Sequence, residues 1–432
     1  MSKGTAIASN GVPEHLVRRN FWLCVGNGAI VSMGSAFFSF ETVMAGLTFT
    51  LTGSTFLVGL VTAMATSCWL WPQLLVGNYI EHRPRKMPVY RFSVILRCCA
   101  LVTMTAALWL FSDRPYVLYT ILLLGTIGFA TGGGICVIPF MDVLAKSIPP
   151  ERRPMLMAWR RTLGGILGGV AGLLTLYVLS ERSGLSYPTN YVILFTAGGL
   201  INFVAYACFL ASHEPIEPVD TEQKSFLTFM RKGLAVFRSD RDFRNYFYFR
   251  LCLAVAYMSQ TLLVPFAIVR FNTPLEATGL FAAGIAITGG VVSIFWGRVA
   301  QKLGEVPLFT LSSALAVVPC VFIAGLACLP EGHPLLQAAA PWSSWIVLGV
   351  FAALTAARQG IDMAGTLYML VLPPAQSRPT YFAFMHSLSA PLMLSPMLAG
   401  WLAEHISFGA AFALSALAAV AMAGVSLRLR HR

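Results

Sequence analysis

Arg358 and Asp362 stand four residues apart in a run, Trp342 to Leu370, that holds no other Asp, Glu, Lys or Arg. On a helix that spacing sets both side chains on one face, where they can neutralise each other, and Gln359 adds an amide beside them. Ionisable groups inside apolar runs are costly and mark solute or ion paths by default. Glu41 is the only charged residue between Phe21 and Ile80; Tyr257 and Gln260 fall mid-way along the run Asn245 to Val269, and His386 lies in the run Thr380 to Leu402. These side chains can hydrogen-bond a polar solute or exchange a proton, and a histidine titrates near neutral pH. Arg97 and Arg250 also lie within apolar runs; the first is expected to snorkel or to pair structurally, the second to pair near one membrane face. Bond-breaking chemistry is not indicated. No Walker loop, zinc spacing, nucleophile elbow or dinucleotide fingerprint occurs, and the nine cysteines show no metal or redox spacing. The expectation is no enzyme, no cofactor and no metal site.

The elements that must position these residues are apolar helices. Of 432 residues, 57% are apolar and 11% charged, whereas soluble domains carry about 25% charged residues. At about 35 residues per spanning helix and connection, the chain accommodates about twelve helices and no large soluble domain. Windows of apolar residues place them near Phe21 to Leu47, Thr55 to Tyr79, Met87 to Phe111, Pro115 to Lys146, Met157 to Leu179 and Tyr191 to Ser212. Six more follow near Asn245 to Val269, Ala277 to Val299, Val306 to Leu329, Trp342 to Leu370, Thr380 to Leu402 and Ile406 to Leu427. The fold class expected is all-α integral membrane, twelve transmembrane helices in two pseudo-symmetric six-helix bundles. Residues 1–212 form the first bundle, 213–244 a charged connector with an amphipathic stretch near Phe226 to Phe237, and 245–432 the second bundle.

Lys and Arg cluster around Arg18 and Arg19, Arg83 to Arg91, Lys146 to Arg161, the connector and Arg428 to Arg432. By the positive-inside bias these regions face the cytoplasm. Both termini are then cytoplasmic, and the protein is multi-pass in the cell (inner) membrane. The net charge of +12 follows from this topology; the basic residues form no single stripe, so no nucleic-acid partner is expected. The first apolar run is longer than a signal-peptide core and is expected to remain in the mature protein.

The halves repeat weakly. Arg19-Asn20 before an aromatic matches Arg244-Asn245; Gly77 matches Gly297; Pro149-Pro150 matches Pro373-Pro374, all at nearly one offset. Gly164, Gly168 and Gly172 read as a packing face for a neighbouring helix, Gly132 to Gly134 as a kinked segment, and Ser389, Pro391, Ser395 and Pro396 as a bend. The loop Gly77-Asn78-Tyr79-Ile80-Glu81-His82-Arg83-Pro84-Arg85-Lys86 resembles the signature loop of the major facilitator superfamily, Gly, three residues, Asp, two residues, Gly, Arg, Lys or Arg, at the helix 2 to helix 3 position. Glu81 replaces the Asp and Pro84 the second Gly; Gly297, Gln301 and Gly304 keep the spacing in the second half without the acid or the basic pair.

The resemblance implies a conformational gate in which Glu81 meets the N-terminal end of helix 11 and Arg85, beside Lys86, reaches the acid on helix 4, Asp142. It also implies a central cavity lined by helices 1, 4, 7 and 10, so that Glu41, Tyr257, Gln260, Arg358, Gln359 and Asp362 would meet substrate or protons, with His386 a further candidate. The function implied is secondary transport of a small organic solute by alternating access across the bilayer, ion coupled, with the proton as coupling ion and export as one direction. If protons couple, Asp362 and Glu41 are the acids. The Gly-Pro pair of many drug and proton antiporters is absent from helix 5, which weighs against a drug antiporter. Alternatives are an importer of an anionic metabolite or a siderophore-like metal chelate, for which Arg358 must be free, and a non-transporting membrane receptor or assembly factor. The expected partners are the solute, the lipid bilayer and protons, with the chain monomeric.

Overall fold

The computed structural model describes residues 13–81, 83–216, 237–372, 381, 384–385 and 388–430. His386, Pro373, Pro374 and the Phe226 to Phe237 stretch, apart from Phe237 itself, lie outside the described residues, as does the start of the expected eleventh helix. The described chain is helical: α1 (Glu14–Ala36), α2 (Val43–Thr52), α3 (Thr55–Glu81), α4 (Met87–Leu110), α5 (Pro115–Ser147), α6 (Arg153–Leu179), α7 (Thr189–Leu210), α8 (Arg241–Tyr257), α9 (Leu263–Phe271), α10 (Ala277–Leu303), α11 (Glu305–Cys328), α12 (Pro334–Ala339), α13 (Ser343–Val371), α14 (Ser395–His405) and α15 (Phe408–Ser426). Among the described residues ten helical stretches are long and apolar enough to cross a membrane. Of the twelve expected spans, the two outside that number are the first, which ends early at Ala36, and the eleventh, which is only partly described.

Contacts gather the chain into two compact units. One holds the residues up to Phe38 and those from Cys68 to the connector; the other holds Ser39–Ser67 and the chain beyond the connector. The segment Ser39–Ser67, which sequence alone assigns to the first bundle, thus groups with the second unit because α2 packs on α9 and α10.

In the first unit α1 lies against α6 and α7, and α4 against α5 and α7. Small residues permit these approaches. Gly164, Gly168 and Gly172 are buried, and a Cβ at Gly164 would meet Ser32 Oγ of α1 at 2.7 Å. Asn27 Nδ2 donates to Ala205 O of α7 at 2.8 Å. Gly132 to Gly134 do not interrupt the helix: α5 runs unbroken through them, and their missing side chains admit Arg97 of α4 and Trp69 of α3. A Cβ at Gly134 would overlap the Trp69 carbonyl oxygen. Because that atom is backbone and cannot rotate away, Gly134→Ala is expected to destabilise the fold by about 1–3 kcal/mol, read as a lower melting temperature in detergent.

In the second unit α11 packs on α13 and α15, α10 on α13, and α15 on α8. Asp240 caps α8, accepting from the N–H groups of Asp242 and Phe243 at 3.0 and 3.1 Å, and Tyr381 Oη donates to its other oxygen at 2.9 Å. The first and seventh expected spans are each interrupted. Residues 37–42 separate α1 from α2, and a 3₁₀ turn, Met258–Leu262, separates α8 from α9. The bend expected at Ser389 to Pro396 is a 3₁₀ turn, Pro391–Leu394, leading into α14.

Candidate substrate site

Arg250, Leu253, Ala254 and Tyr257 stand at i, i+3, i+4 and i+7, which makes them one face of α8. Thr355, Arg358, Gln359 and Asp362 do the same on α13, with Thr62 and Thr66 at i and i+4 on α3. These three faces, with Glu41, Gln260, Thr261 and Ser395, line a cavity of about 330 Å³. Every lining residue belongs to the second unit. The helices are otherwise apolar, so the convergent polar groups are what the cavity offers to a solute.

Its charges are unevenly satisfied. Arg358 Nε donates to both oxygens of Asp362 at 3.1 Å, and its guanidinium carbon lies 5.3 Å from the centre of the Tyr257 ring. Tyr257 Oη donates to Leu354 O at 3.1 Å, which ties α8 to α13. The pair occupies Nε alone among the guanidinium nitrogens, so the two Nη groups carry no hydrogen bond among the described residues. Arg250, on the same cavity wall, has no carboxylate within ion-pair distance among the described residues. Glu41 Oε2 accepts from Gln260 Nε2 at 2.9 Å. That bond joins the two interruptions of the first and seventh spans, and discontinuous helices are where transporters expose backbone and side chains to solute. Thr62 and Thr66 spend their hydroxyl hydrogens on the carbonyls one turn back, at 3.1 and 3.0 Å, and therefore face the cavity as acceptors.

The structure brings six of the expected residues together here: Glu41, Tyr257, Gln260, Arg358, Gln359 and Asp362. Arg250 is the one that depth along its span sets apart from them. Expected near a membrane face, it lines the cavity on the same face of α8 as Tyr257, about two turns before it. Thr62, Thr66, Thr355 and Ser395 join it without a distinguishing sequence signal.

The signature loop is built differently from the expected pairing. Gly77 and Glu81 lie in the last turns of α3, Arg85 is exposed, and Asp142 pairs with Lys146 one turn along its own helix at 2.7 Å. This local partner needs no second helix to be ordered. Lys86 is buried, with Nζ donating to Ile80 O. An acid that sequence reading passed over, Glu214, accepts from the backbone N–H groups of Lys86 and Met87. A carboxylate there meets the unpaired donors and positive dipole end of α4. In the second unit Gly297 lies within α10 and Gln301 is exposed near its end, where Gly304 takes φ +83° and closes the helix.

A second carboxylate at a helix start holds α3 to α14. Glu404 Oε2 accepts from Ser54 Oγ and, at 2.9 Å, from Phe56 N; Thr55 Oγ1 donates to Gly400 O at 2.9 Å. Gly400 and Gly59 let the two backbones touch. Glu404→Ala is expected to lower stability by about 1 kcal/mol, the scale of a lost helix cap, with Glu404→Gln recovering part of it in thermal melts.

The Major Facilitator Superfamily model matches residues 24–329. No curated protein sequence matches the chain. Solved structures match along nearly the whole length. A bacterial homologue of the iron transporter ferroportin in the inward-facing state has a TM-score of 0.67 at 16% identity, over 95% of this chain and 98% of that one. A POT family transporter in complex with a thioalcohol-conjugated peptide has 0.66 at 12%, over 97% and 96%. The nucleoside transporter NupG has 0.65 at 12%, over 96% and 98%. At these identities the likeness is one of fold.

Proposed function

The chain belongs to the Major Facilitator Superfamily, and from that premise we propose that it is a proton-coupled secondary transporter of a small organic solute bearing an anionic group. The observation that carries this reading is Arg250, a guanidinium on the cavity wall without a carboxylate partner among the described residues. Arg358 adds its Nη donors, and bidentate donors of this kind suit carboxylate or phosphate. An exporter of apolar cations needs a free acid, and Asp362 is engaged by Arg358. Glu41, held by a neutral amide, is the acid we assign to proton exchange. The work is vectorial, a solute passing by alternating access through a multi-pass membrane protein. The Lys and Arg distribution supports cytoplasmic termini and an inner-membrane location.

The test is thermal stability of the purified protein against organic anions, zwitterions, sugars, lipophilic cations and metal chelates, followed by uptake into proteoliposomes. A ligand at a hundred times its Kd stabilises by about 2.7 kcal/mol. Stabilisation by a carboxylate or phosphate compound that disappears in Arg250→Ala is expected. Stabilisation by lipophilic cations that survives in Arg250→Ala overturns the reading.

A further inference from the structure

The solute cavity has an apolar neighbour. A space of about 430 Å³ lies beside it in the same unit, lined by Phe56 of α3, Val255 of α8 and, from the turn that leads into α14 and from α14 itself, Leu392, Leu394, Leu398 and Trp401. No charged side chain lines it. Ala254 and Ser395 line both spaces, so the two meet across a methyl and a hydroxymethyl group.

The local folding keeps that shared wall thin. Met258 N–H bonds Val255 O as α8 tightens into its 3₁₀ turn, and Ser395 Oγ donates to Ala254 O at 2.9 Å. A small side chain thus satisfies the Ala254 carbonyl, and the two segments join there without a bulky group between the spaces. Leu394, Leu398 and Trp401 stand at i, i+4 and i+7, one face. They are 40%, 45% and 44% exposed. In a span expected to cross the bilayer such a face meets acyl chains, and a tryptophan near the span's end suits the membrane interface. The apolar space therefore lies between the polar cavity and a rim that lipid can reach.

Building on the anionic reading above, we propose that the solute is an amphiphile, a single alkyl or acyl chain ending in a carboxylate or phosphate. Its head meets Arg250 and the Nη groups of Arg358, and its chain crosses Ala254 and Ser395 to lie against Leu394 and Leu398. Two guanidinium groups call for an anion and an uncharged apolar space calls for hydrocarbon; the shared wall lets one molecule supply both. A sugar phosphate or a short dicarboxylate cannot use the second space, because polar groups placed there lose hydration without a charged partner.

The test takes the full chain in detergent through n-alkyl phosphates from ethyl to decyl, and the matching carboxylates, with melting temperature read against free aqueous anion. In the wild type the midpoint is expected to fall about three- to fourfold for each methylene moved out of water. Leu398→Trp narrows the apolar space from its exposed rim, and should roughly halve that slope on a logarithmic scale while ethyl phosphate keeps its midpoint. Equal midpoints along a series whose short members bind, or an unchanged slope in a folded Leu398→Trp, overturn the amphiphile and leave the anionic reading standing. Binding by no member of either series removes both. Should the variant fail to fold, decyl phosphate with a diazirine on its terminal carbon decides alone. Label on residues 391–401 that Arg250→Ala abolishes supports the proposal. Label there that persists in Arg250→Ala marks an ordinary lipid contact and overturns it, as does label confined to other segments.

Discussion

Replacing Arg250 with Ala is expected to weaken solute binding by about ten- to a hundredfold, the worth of a hydrogen bond to a charged group lost from a cavity of low dielectric. Arg250→Lys should fall between, because an ammonium keeps the charge and loses the planar fork that meets a carboxylate or phosphate with two donors. The companion variant carries the opposite sign. Asp362 accepts from Arg358 Nε with both oxygens at 3.1 Å; Asp362→Asn removes the negative charge and releases that guanidinium. Anion binding should then tighten. The side chains of Arg358 and Asp362 are 35% and 49% exposed, so water can hydrate the freed cation and folding should survive. Kd from thermal shift and KM from uptake report both effects. Equal affinity in wild type and Arg250→Ala would overturn Arg250 as the partner of an anionic group on the solute.

Much of the fold is legible in the sequence because apolar length and glycine spacing are local signals. The face Gly164, Gly168 and Gly172 packs as its period implies, and Arg358 with Asp362 form the i, i+4 pair that their spacing allows. The interruptions at residues 37–42 and 258–262 are not legible. Neither contains Pro or Gly, and the second is held by distant partners: Ser259 Oγ donates to Ala411 O at 2.9 Å and lies 2.6 Å from Ser415 Oγ. Hydropathy is blind to such bonds.

The site divides along the same line. Arg250 stands seven residues before Tyr257, so its place on the cavity face follows from helical period once Tyr257 is put there; weighing it by depth alone obscured this. Thr62 and Thr66 give no signal, since threonines in spanning helices commonly bond the carbonyl one turn back wherever they face. The pairing of Arg85 with Asp142 came from family likeness; in the structure Asp142 pairs with Lys146, one turn along its own helix.

Accumulation is expected to collapse in Glu41→Gln while binding persists. The Gln side chain has nearly the shape of Glu, and its carbonyl oxygen can still accept from Gln260 Nε2, which holds the carboxylate at 2.9 Å. What it cannot do is take up and release a proton. One proton per solute across a gradient of one pH unit supplies about 1.4 kcal/mol, enough for about tenfold accumulation. Wild-type proteoliposomes should therefore concentrate solute when an inwardly directed proton gradient is imposed, and Glu41→Gln vesicles should only equilibrate it. Exchange of labelled for unlabelled solute needs no net proton movement and should continue in the variant. Glu41→Asp separates charge from reach: the acid remains, but one methylene shorter it loses the Gln260 contact, so coupling should weaken without vanishing. Uphill accumulation by Glu41→Gln at wild-type levels would move the coupling acid elsewhere, with Asp362 the next residue to test, because it is the other carboxylate lining the cavity.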